Sequence, residues 1–240
     1  MEATAFLELY RSDLVSVYAV WLLPALFLAW LLATPTGRAA ARSPDADVRW
    51  VRAYCIAFAI ETIVDPFATG PLVRRLGVAD APLGTAILLA FVLLGDFRVY
   101  LLVLRLARPA RGTAAAAGAA ALWTLLVPVS AFAIDHALRA ALGALPDQTI
   151  WLVYELCFLA VALWMRARAI ERWADPDCER QRQLESVAGY VALYYGLWAA
   201  SDVLILAFGL DLGWALRIVP NQLYYAFYLP YAYFQVASRS

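Results

Sequence analysis

Long apolar stretches alternate with short polar connectors along the whole chain. Seven of these stretches are long enough to cross about 30 Å of hydrocarbon as helices, at a rise of about 1.5 Å per residue. They cover approximately residues 14–34, 51–69, 83–107, 114–138, 149–169, 186–209 and 213–236. No connector is long enough to hold a second domain. The pattern therefore predicts an all-α membrane protein, with residues 1–240 forming one domain and one bundle of seven transmembrane helices.

The composition supports a membrane protein and excludes several other classes. Hydrophobic residues make up 64% of the chain and charged residues 16%, against roughly 45–50% and about 25% in soluble domains. All 19 basic residues are arginines and they equal the 19 acids in number, so no basic surplus points to nucleic acid. Without a lysine, the chain cannot form the Schiff base of a retinal protein. One histidine and three scattered cysteines are too few for a diiron or zinc site, so we expect no metal or cofactor.

The distribution of arginine predicts the orientation in the membrane. Thirteen arginines fall in the first, third and fifth connectors and at the C-terminus, whereas five, among them Arg217, fall on the other side. By the positive-inside rule, the N-terminus is expected outside and the C-terminus in the cytoplasm of a multi-pass protein in a bacterial-type inner membrane. Three acids and one arginine precede the first apolar stretch, unlike the basic start of a secretory signal peptide, so we expect the first helix to be retained.

Charged side chains inside the predicted helices are the main candidates for function, because each costs roughly 2.5–3.5 kcal/mol at the bilayer centre. The candidates at membrane depth are Glu61, Asp65, Asp96, Arg98, Glu155 and Asp202. Glu61 and Asp96 fall near the middle of the membrane, and the others, together with the amide of Asn221, fall mostly in its outer half. We therefore expect one polar cavity that opens outward. An ion pair of Arg98 with Glu61 or Asp202 that only holds helices together is the alternative interpretation.

Aromatic residues are concentrated in the last two predicted helices. Tyr195, Trp198 and Asp202 are spaced i, i+3 and i+7, which places them on one helical face, and a similar stripe runs along the last helix. Such stripes beside a carboxylate are typical of a binding pocket, although ordinary helix packing would also produce them. The predicted substrate-binding residues are Tyr100, Glu155, Tyr195, Trp198, Asn221, Tyr224 and Tyr228.

Buried acids and aromatic rings together point to one kind of chemistry. A carboxylic acid in an apolar pocket can stay protonated near neutral pH and donate its proton to an epoxide or an alkene. Aromatic faces then stabilise the carbocation, and a second acid takes up the final proton. A membrane-embedded isoprenoid cyclase or isomerase would use these groups on a hydrophobic small molecule that enters from the lipid bilayer.

Two segments resemble a known family. Glu61 stands in AFAIETIVDPF, where a proline follows it. The third predicted helix, GDFRVYLLVLRLAR, has a polar residue followed by a tyrosine and a basic end. In both features the chain resembles the small integral-membrane terpene cyclases of fungal meroterpenoid and indole-diterpene pathways and their bacterial relatives. The resemblance implies that Glu61 is the catalytic acid. The family has its second acid in the last helix, where this chain has Asn221, so Asp202, one helix earlier, is the candidate replacement.

The function predicted from the sequence is therefore a metal-independent terpene cyclase or isomerase. Its candidate catalytic residues are Glu61, Asp65, Asp96 and Asp202. Two alternatives stay open. Carboxylates at one depth of the membrane would also serve a proton- or cation-coupled transporter or channel, although no internal repeat is visible. In a structural or sensory seven-helix subunit, the same charges would only join helices.

Overall fold

A computed structural model describes residues 5–79, 81–174 and 178–237, without the side chain of residue 178. The regular structure of these residues is entirely helical, which confirms the all-α prediction. Six helices are long and apolar enough to cross a membrane, so we treat the protein as membrane-embedded. They are α1 (Leu14–Ala33), α2 (Ala46–Arg75), α3 (Pro82–Ala107), α4 (Pro109–Leu142), α5 (Gln148–Trp173) and α6 (Glu179–Phe208). Short helices cover Ala5–Arg11, called the N-terminal helix below, and Pro35–Ala39.

The seventh predicted helix, α7, covers residues 212–237 but is not among the six apolar enough to cross a membrane by that measure. It consists of α-helical Leu212–Asn221, a π-helical segment Gln222–Phe227 and α-helical Tyr228–Ala237. Its many tyrosines and its polar residues lower the hydropathy, although the helix is as long as α3 and α5. Other π-helical segments lie at Leu14–Ala19, Ala68–Leu72 and Met165–Ala169.

Several helix ends follow from local sequence signals. Asp45 precedes α2, and its Oδ1 accepts a hydrogen bond from the backbone N–H of Asp47 at 2.7 Å, which satisfies a donor of the first helical turn. Pro82 begins α3, where the missing N–H costs no helical hydrogen bond. Gly143 and Gly209 follow α4 and α6 with φ of +87° and +63°, a conformation that glycine adopts without strain.

The helices pack in chain order, each against the next, and α7 closes the bundle against α1 and α2. The most extensive contacts join α6 to α5 and to α7, and α6 also contacts α3. The N-terminal helix packs on the first segment of α7. Side chains from α3, α5, α6 and α7 therefore meet inside the bundle, whereas α4 presents much of its surface outward, with Leu122 74% exposed.

Candidate functional site

A cavity of about 340 Å³ lies between α3, α5, α6, α7 and the N-terminal helix. It occupies the half of the bundle that contains the start of α5 and the start of α7, which is the predicted outer half. Its lining is formed by Tyr10, Arg11, Leu88, Val92, Gln148, Trp151, Tyr154, Glu155, Tyr195, Trp198, Trp214, Arg217, Asn221, Tyr224 and Tyr225. The volume is at the lower end of the range of about 300–1,000 Å³ that is usual for small-molecule sites.

One side of the cavity holds two buried acids that share one arginine. Nη2 of Arg217 lies 3.1 Å from Oε1 of Glu155, and its Nη1 pairs with Oδ1 of Asp202. Gln148 donates hydrogen bonds to both carboxylate oxygens of Asp202, at 2.9 and 3.1 Å. Both carboxyl groups therefore lie beside the same guanidinium. This cluster of Gln148, Glu155, Asp202 and Arg217, named the acid–arginine cluster below, joins α5, α6 and α7.

Glu155 is the acid that faces the cavity. It lines the cavity wall, and its Oε2 is buried without a hydrogen-bond partner among the described residues. Asp202 is fully buried and lies behind Arg217 and Gln148, which belong to the lining. Buried carboxylate oxygens are normally hydrogen-bonded, so Glu155 is a cavity residue with hydrogen-bonding capacity that the described residues leave unused.

A third acid lies behind two tyrosines of the cavity wall. The hydroxyls of Tyr154 and Tyr195 both donate to the carboxylate of Asp96, the latter at 2.5 Å. Asp96 is fully buried and belongs to α3, whereas the tyrosines belong to α5 and α6. Because the rings of Tyr154 and Tyr195 line the cavity, the hydroxyls connect its surface to a carboxylate that the cavity does not reach directly.

The remaining wall is mainly aromatic and is fixed by hydrogen bonds. Nε1 of Trp198 donates to Oδ1 of Asn221 at 2.8 Å, which joins two residues that the sequence predicts to be in the pocket. The ring of Tyr224 lies 5.3 Å from that of Trp198. Near the N-terminal helix, the ring of Tyr10 lies 5.6 Å from Trp214 and 5.9 Å from the guanidinium of Arg217. The wall thus combines fixed aromatic faces with a few polar groups.

Glu61 lies outside this lining and faces Arg98. Its Oε2 is 3.9 Å from Nη1 of Arg98, which also donates to Oγ1 of Thr62 at 2.9 Å. Nη2 of Arg98 donates to the backbone carbonyl of Tyr224 at 2.7 Å, inside the π-helical segment of α7. These contacts correspond to the helix-joining ion pair that the sequence allowed as an alternative. They tie α2 and α3 to α7.

The other predicted residues fall into two groups. Glu155, Tyr195, Trp198, Asn221 and Tyr224 line the cavity, and their role in substrate binding stays a prediction. Tyr100 and Tyr228 are fully buried in the core and are not part of the lining. Asp65 is also absent from the lining and is hydrogen-bonded by Thr69 at 3.2 Å. It interacts with the hydroxyl of Tyr225, which is a lining residue.

Arg217 is the main site residue that the sequence did not reveal. The arginine distribution includes it only among the arginines of the outer side, whereas the structure shows that it is 8% exposed and pairs with two buried acids. One feature of the sequence does indicate this location. Arg217 precedes Asn221 by four residues, which places both side chains on the same helical face. Tyr154, Gln148 and Trp151 were missed too. They stand in the first turns of α5, next to a predicted acid, where interfacial residues are also common.

The packing of α3 against α7 places Tyr224 directly over Gly95. A methyl group on Gly95 would coincide with the hydroxyl of Tyr224, so Gly95→Ala must displace a ring of the cavity wall. We expect a loss of about 1–3 kcal/mol of stability, which is usual for overpacking. The thermal unfolding midpoint of the purified protein in detergent measures the effect.

Gly118→Ala in α4 is the matched control. A Cβ at Gly118 would meet no atom within 4 Å, and alanine favours a helix interior over glycine by roughly 1 kcal/mol. This variant should therefore melt at the wild-type temperature or above it. Equal midpoints for the two variants would contradict the close approach of Tyr224 to Gly95.

Comparison with protein-family models, with curated proteins and with solved structures finds no match for this chain. The resemblance to membrane terpene cyclases therefore depends on the sequence segments around Glu61 and Asp96. Among the described residues, no three His, Cys, Asp or Glu side chains form a group that could hold a metal ion. What the site can do follows from its own acids, its arginine and its aromatic rings.

Proposed function

We propose that this protein is a membrane-embedded isoprenoid cyclase or isomerase that works by acid catalysis on a hydrophobic, prenylated substrate. One observation carries the proposal. Glu155 lines an aromatic cavity and has a buried carboxylate oxygen that no described residue hydrogen-bonds, and it shares Arg217 with a second buried acid, Asp202. Two carboxyl groups beside one guanidinium leave an unbalanced negative charge in a buried place, and one proton held by the pair removes it.

That proton supplies the first step. Glu155 transfers it to an epoxide oxygen or to an alkene carbon. In an epoxide a C–O bond breaks, and in an alkene the π electrons form the new C–H bond. The resulting carbocation is attacked by the π electrons of a second alkene of the same molecule, which closes a ring. Loss of a proton then restores an alkene, so the product is an isomer with the mass of the substrate. The catalysis needs no oxidant and no reductant.

The cavity wall offers groups for the later steps. The rings of Trp198, Tyr195 and Tyr224 present π faces that stabilise a passing cation at about 1–2 kcal/mol each when water is excluded. The hydroxyls of Tyr154 and Tyr195 each donate a hydrogen bond to Asp96. One of these hydroxyl oxygens takes up the final proton while its own proton passes to the carboxylate of Asp96, which becomes neutral. This arrangement gives Glu155 and Asp202 the role of acid and Asp96 the role of terminal base.

The proposal includes a topology. α7 would be the seventh membrane span, since it is 26 residues long and packs in the bundle against α1, α2 and α6. An odd number of spans puts the termini on opposite sides. The arginine distribution then favours an outer N-terminus and a cytoplasmic C-terminus in a bacterial-type inner membrane. If the buried Arg217 is left out of the count, thirteen arginines lie on the cytoplasmic side and four on the outer side.

Ion-coupled transport is the second candidate, and one observation favours it. Charged groups continue beyond the cavity, first as Asp96 and then as the pair of Arg98 and Glu61. Acids in sequence across a membrane suit a proton relay. The cyclase remains the better supported function because the cavity is lined mainly by aromatic rings and because the charges beyond it are tied into helix contacts.

Membranes that contain the wild-type protein should convert a prenylated aromatic compound or its terminal epoxide into an isomer of unchanged mass. A panel of such compounds is incubated with these membranes, and mass spectrometry with chromatographic retention detects the new isomer. Membranes from the same host without the protein are the control. If no compound is converted, while proteoliposomes with the protein show proton flux coupled to a solute, the protein is a transporter and the cyclase proposal fails.

A further inference from the structure

A second cavity, of about 190 Å³, lies at the opposite end of the bundle, where α3 ends and α4 begins. Its lining includes Arg108, Arg111, Ala115, Ala119, Trp123 and Trp173. The rings of Trp123 and Trp173 lie 5.6 Å apart and form its aromatic wall. This is the end of the bundle to which the arginine distribution assigns the cytoplasm.

The two arginines of this pocket have no acidic partner among the described residues. Nε of Arg108 donates to the backbone carbonyl of Trp173 at 3.1 Å, which fixes the guanidinium and leaves its terminal nitrogens for another acceptor. Arg111 is exposed. By contrast, the neighbouring Arg105 is paired with Asp47 at 3.2 Å. Two guanidinium groups at one pocket, with no carboxylate among its described lining residues, favour an anion with several acceptor oxygens.

The helix end and the adjoining surface indicate which kind of anion this pocket would bind. α4 is one long helix that starts beside the pocket, so the positive end of its helix dipole adds to the attraction. Beside the pocket, Ala115 is exposed, and Leu122 farther along α4 is 74% exposed. An anion bound by the arginines would therefore have apolar protein surface next to it at the height of lipid tails.

We propose that this pocket binds a phosphate group, and that the apolar face of α4 favours phosphate carried by a membrane lipid over free phosphate. Arg108 and Arg111 hold the phosphate oxygens, Trp123 and Trp173 flank the headgroup, and the acyl chains lie along Ala115 and Ala119. Basic pockets between helices at the cytoplasmic side are typical of such lipid sites. This site is independent of the outer cavity and of the function proposed for it.

Lipid binding to the purified full-length protein in neutral detergent tests the proposal. Native mass spectrometry counts the bound molecules during titration with phosphatidylglycerol, with phosphatidylcholine or with inorganic phosphate. The wild-type protein should bind phosphatidylglycerol in preference to the other two. The double variant Arg108→Gln/Arg111→Gln should bind it about tenfold more weakly, because each arginine adds severalfold to the attraction for an anionic lipid.

Arg38→Gln/Arg42→Gln is the matched control, since it removes two arginines from another cavity at the same end of the bundle, whose described lining residues include no aromatic ring. It should bind phosphatidylglycerol like the wild type. Equal losses in the two variants would show an attraction of general surface charge and would overturn the proposal, as would absence of binding to the wild type. Equal binding of inorganic phosphate would assign the site to free phosphate. Arg108→Lys/Arg111→Lys keeps the charge and should retain binding, which separates a lost site from misfolding.

Discussion

Glu155→Gln is expected to abolish conversion of the substrate while the protein stays folded. The amide has the size of the carboxyl group but carries no proton that it can give to an epoxide or an alkene. Loss of a general acid typically lowers a rate by about 10²–10⁴-fold. Stability should be kept because Arg217 then faces Asp202 alone, and the buried charges of the acid–arginine cluster are balanced.

The corresponding variant Glu61→Gln tests whether Glu61 or Glu155 is the catalytic acid. The resemblance to membrane terpene cyclases implies Glu61, whereas the structure places Glu61 beside Arg98, 3.9 Å away and outside the cavity lining. If Glu155 is the acid, Glu61→Gln keeps the capacity to form product and loses stability instead. If Glu61 is the acid, its variant is inactive and Glu155→Gln is active.

Initial rates of isomer formation, normalised to the amount of folded protein in the membrane, decide between these outcomes. Glu185→Gln is the control for the chemical change, because Glu185 lies near the start of α6, where it accepts a hydrogen bond from Gln181 at 2.7 Å, far from the cavity. A wild-type rate in Glu155→Gln would remove this residue from the mechanism.

The helices were predictable because an apolar run long enough to span the membrane leaves few alternatives to a helix. Their ends were not predictable in the same way. The second apolar stretch covers residues 51–69, but α2 runs over Ala46–Arg75, since Asp45 caps a polar first turn. An apolar run marks the part of a helix that faces lipid or core, whereas the helix itself continues as long as its backbone donors are satisfied.

Residues of the candidate site were predictable where the periodicity of one helix determines which of its side chains share a face. Tyr195 and Trp198 on α6, and Asn221 and Tyr224 on α7, share faces by their spacing, and all four line the cavity. Tyr228 continues the stripe of α7 by the same spacing but is fully buried in the core. Spacing identifies a face of a helix, and only the depth along that face separates cavity lining from packing.

Partners on different helices were not predictable from one sequence. The pair of Arg217 with Glu155 and Asp202 joins three helices, and nothing in the local pattern of any one of them shows the others. Arg98 posed the same problem, because both Glu61 and Asp202 were possible partners. The structure selects Glu61, since α2 and α3 are neighbours in the bundle and Arg217 occupies Asp202.

Arg98→Met should lower the free energy of unfolding by about 3–5 kcal/mol, the usual cost of removing one member of a buried ion pair. The Arg98 side chain is 1% exposed. Its loss leaves the carboxylate of Glu61 unpaired and the carbonyl of Tyr224 without its donor. The guanidinium also lies over the rings of Tyr224 and Tyr228, at 4.3 and 4.9 Å from their centroids, and these contacts disappear with it.

Denaturant titration in detergent micelles measures the change, and Arg74→Met provides its comparison. Arg74 pairs with Asp13 at 2.6 Å, but both side chains are about half exposed, so this variant should cost no more than about 1 kcal/mol. Arg98→Met/Glu61→Gln should recover part of the loss, because the unpaired carboxylate is then absent. If Arg98→Met and Arg74→Met cost the same, Arg98 does not hold α2, α3 and α7 together.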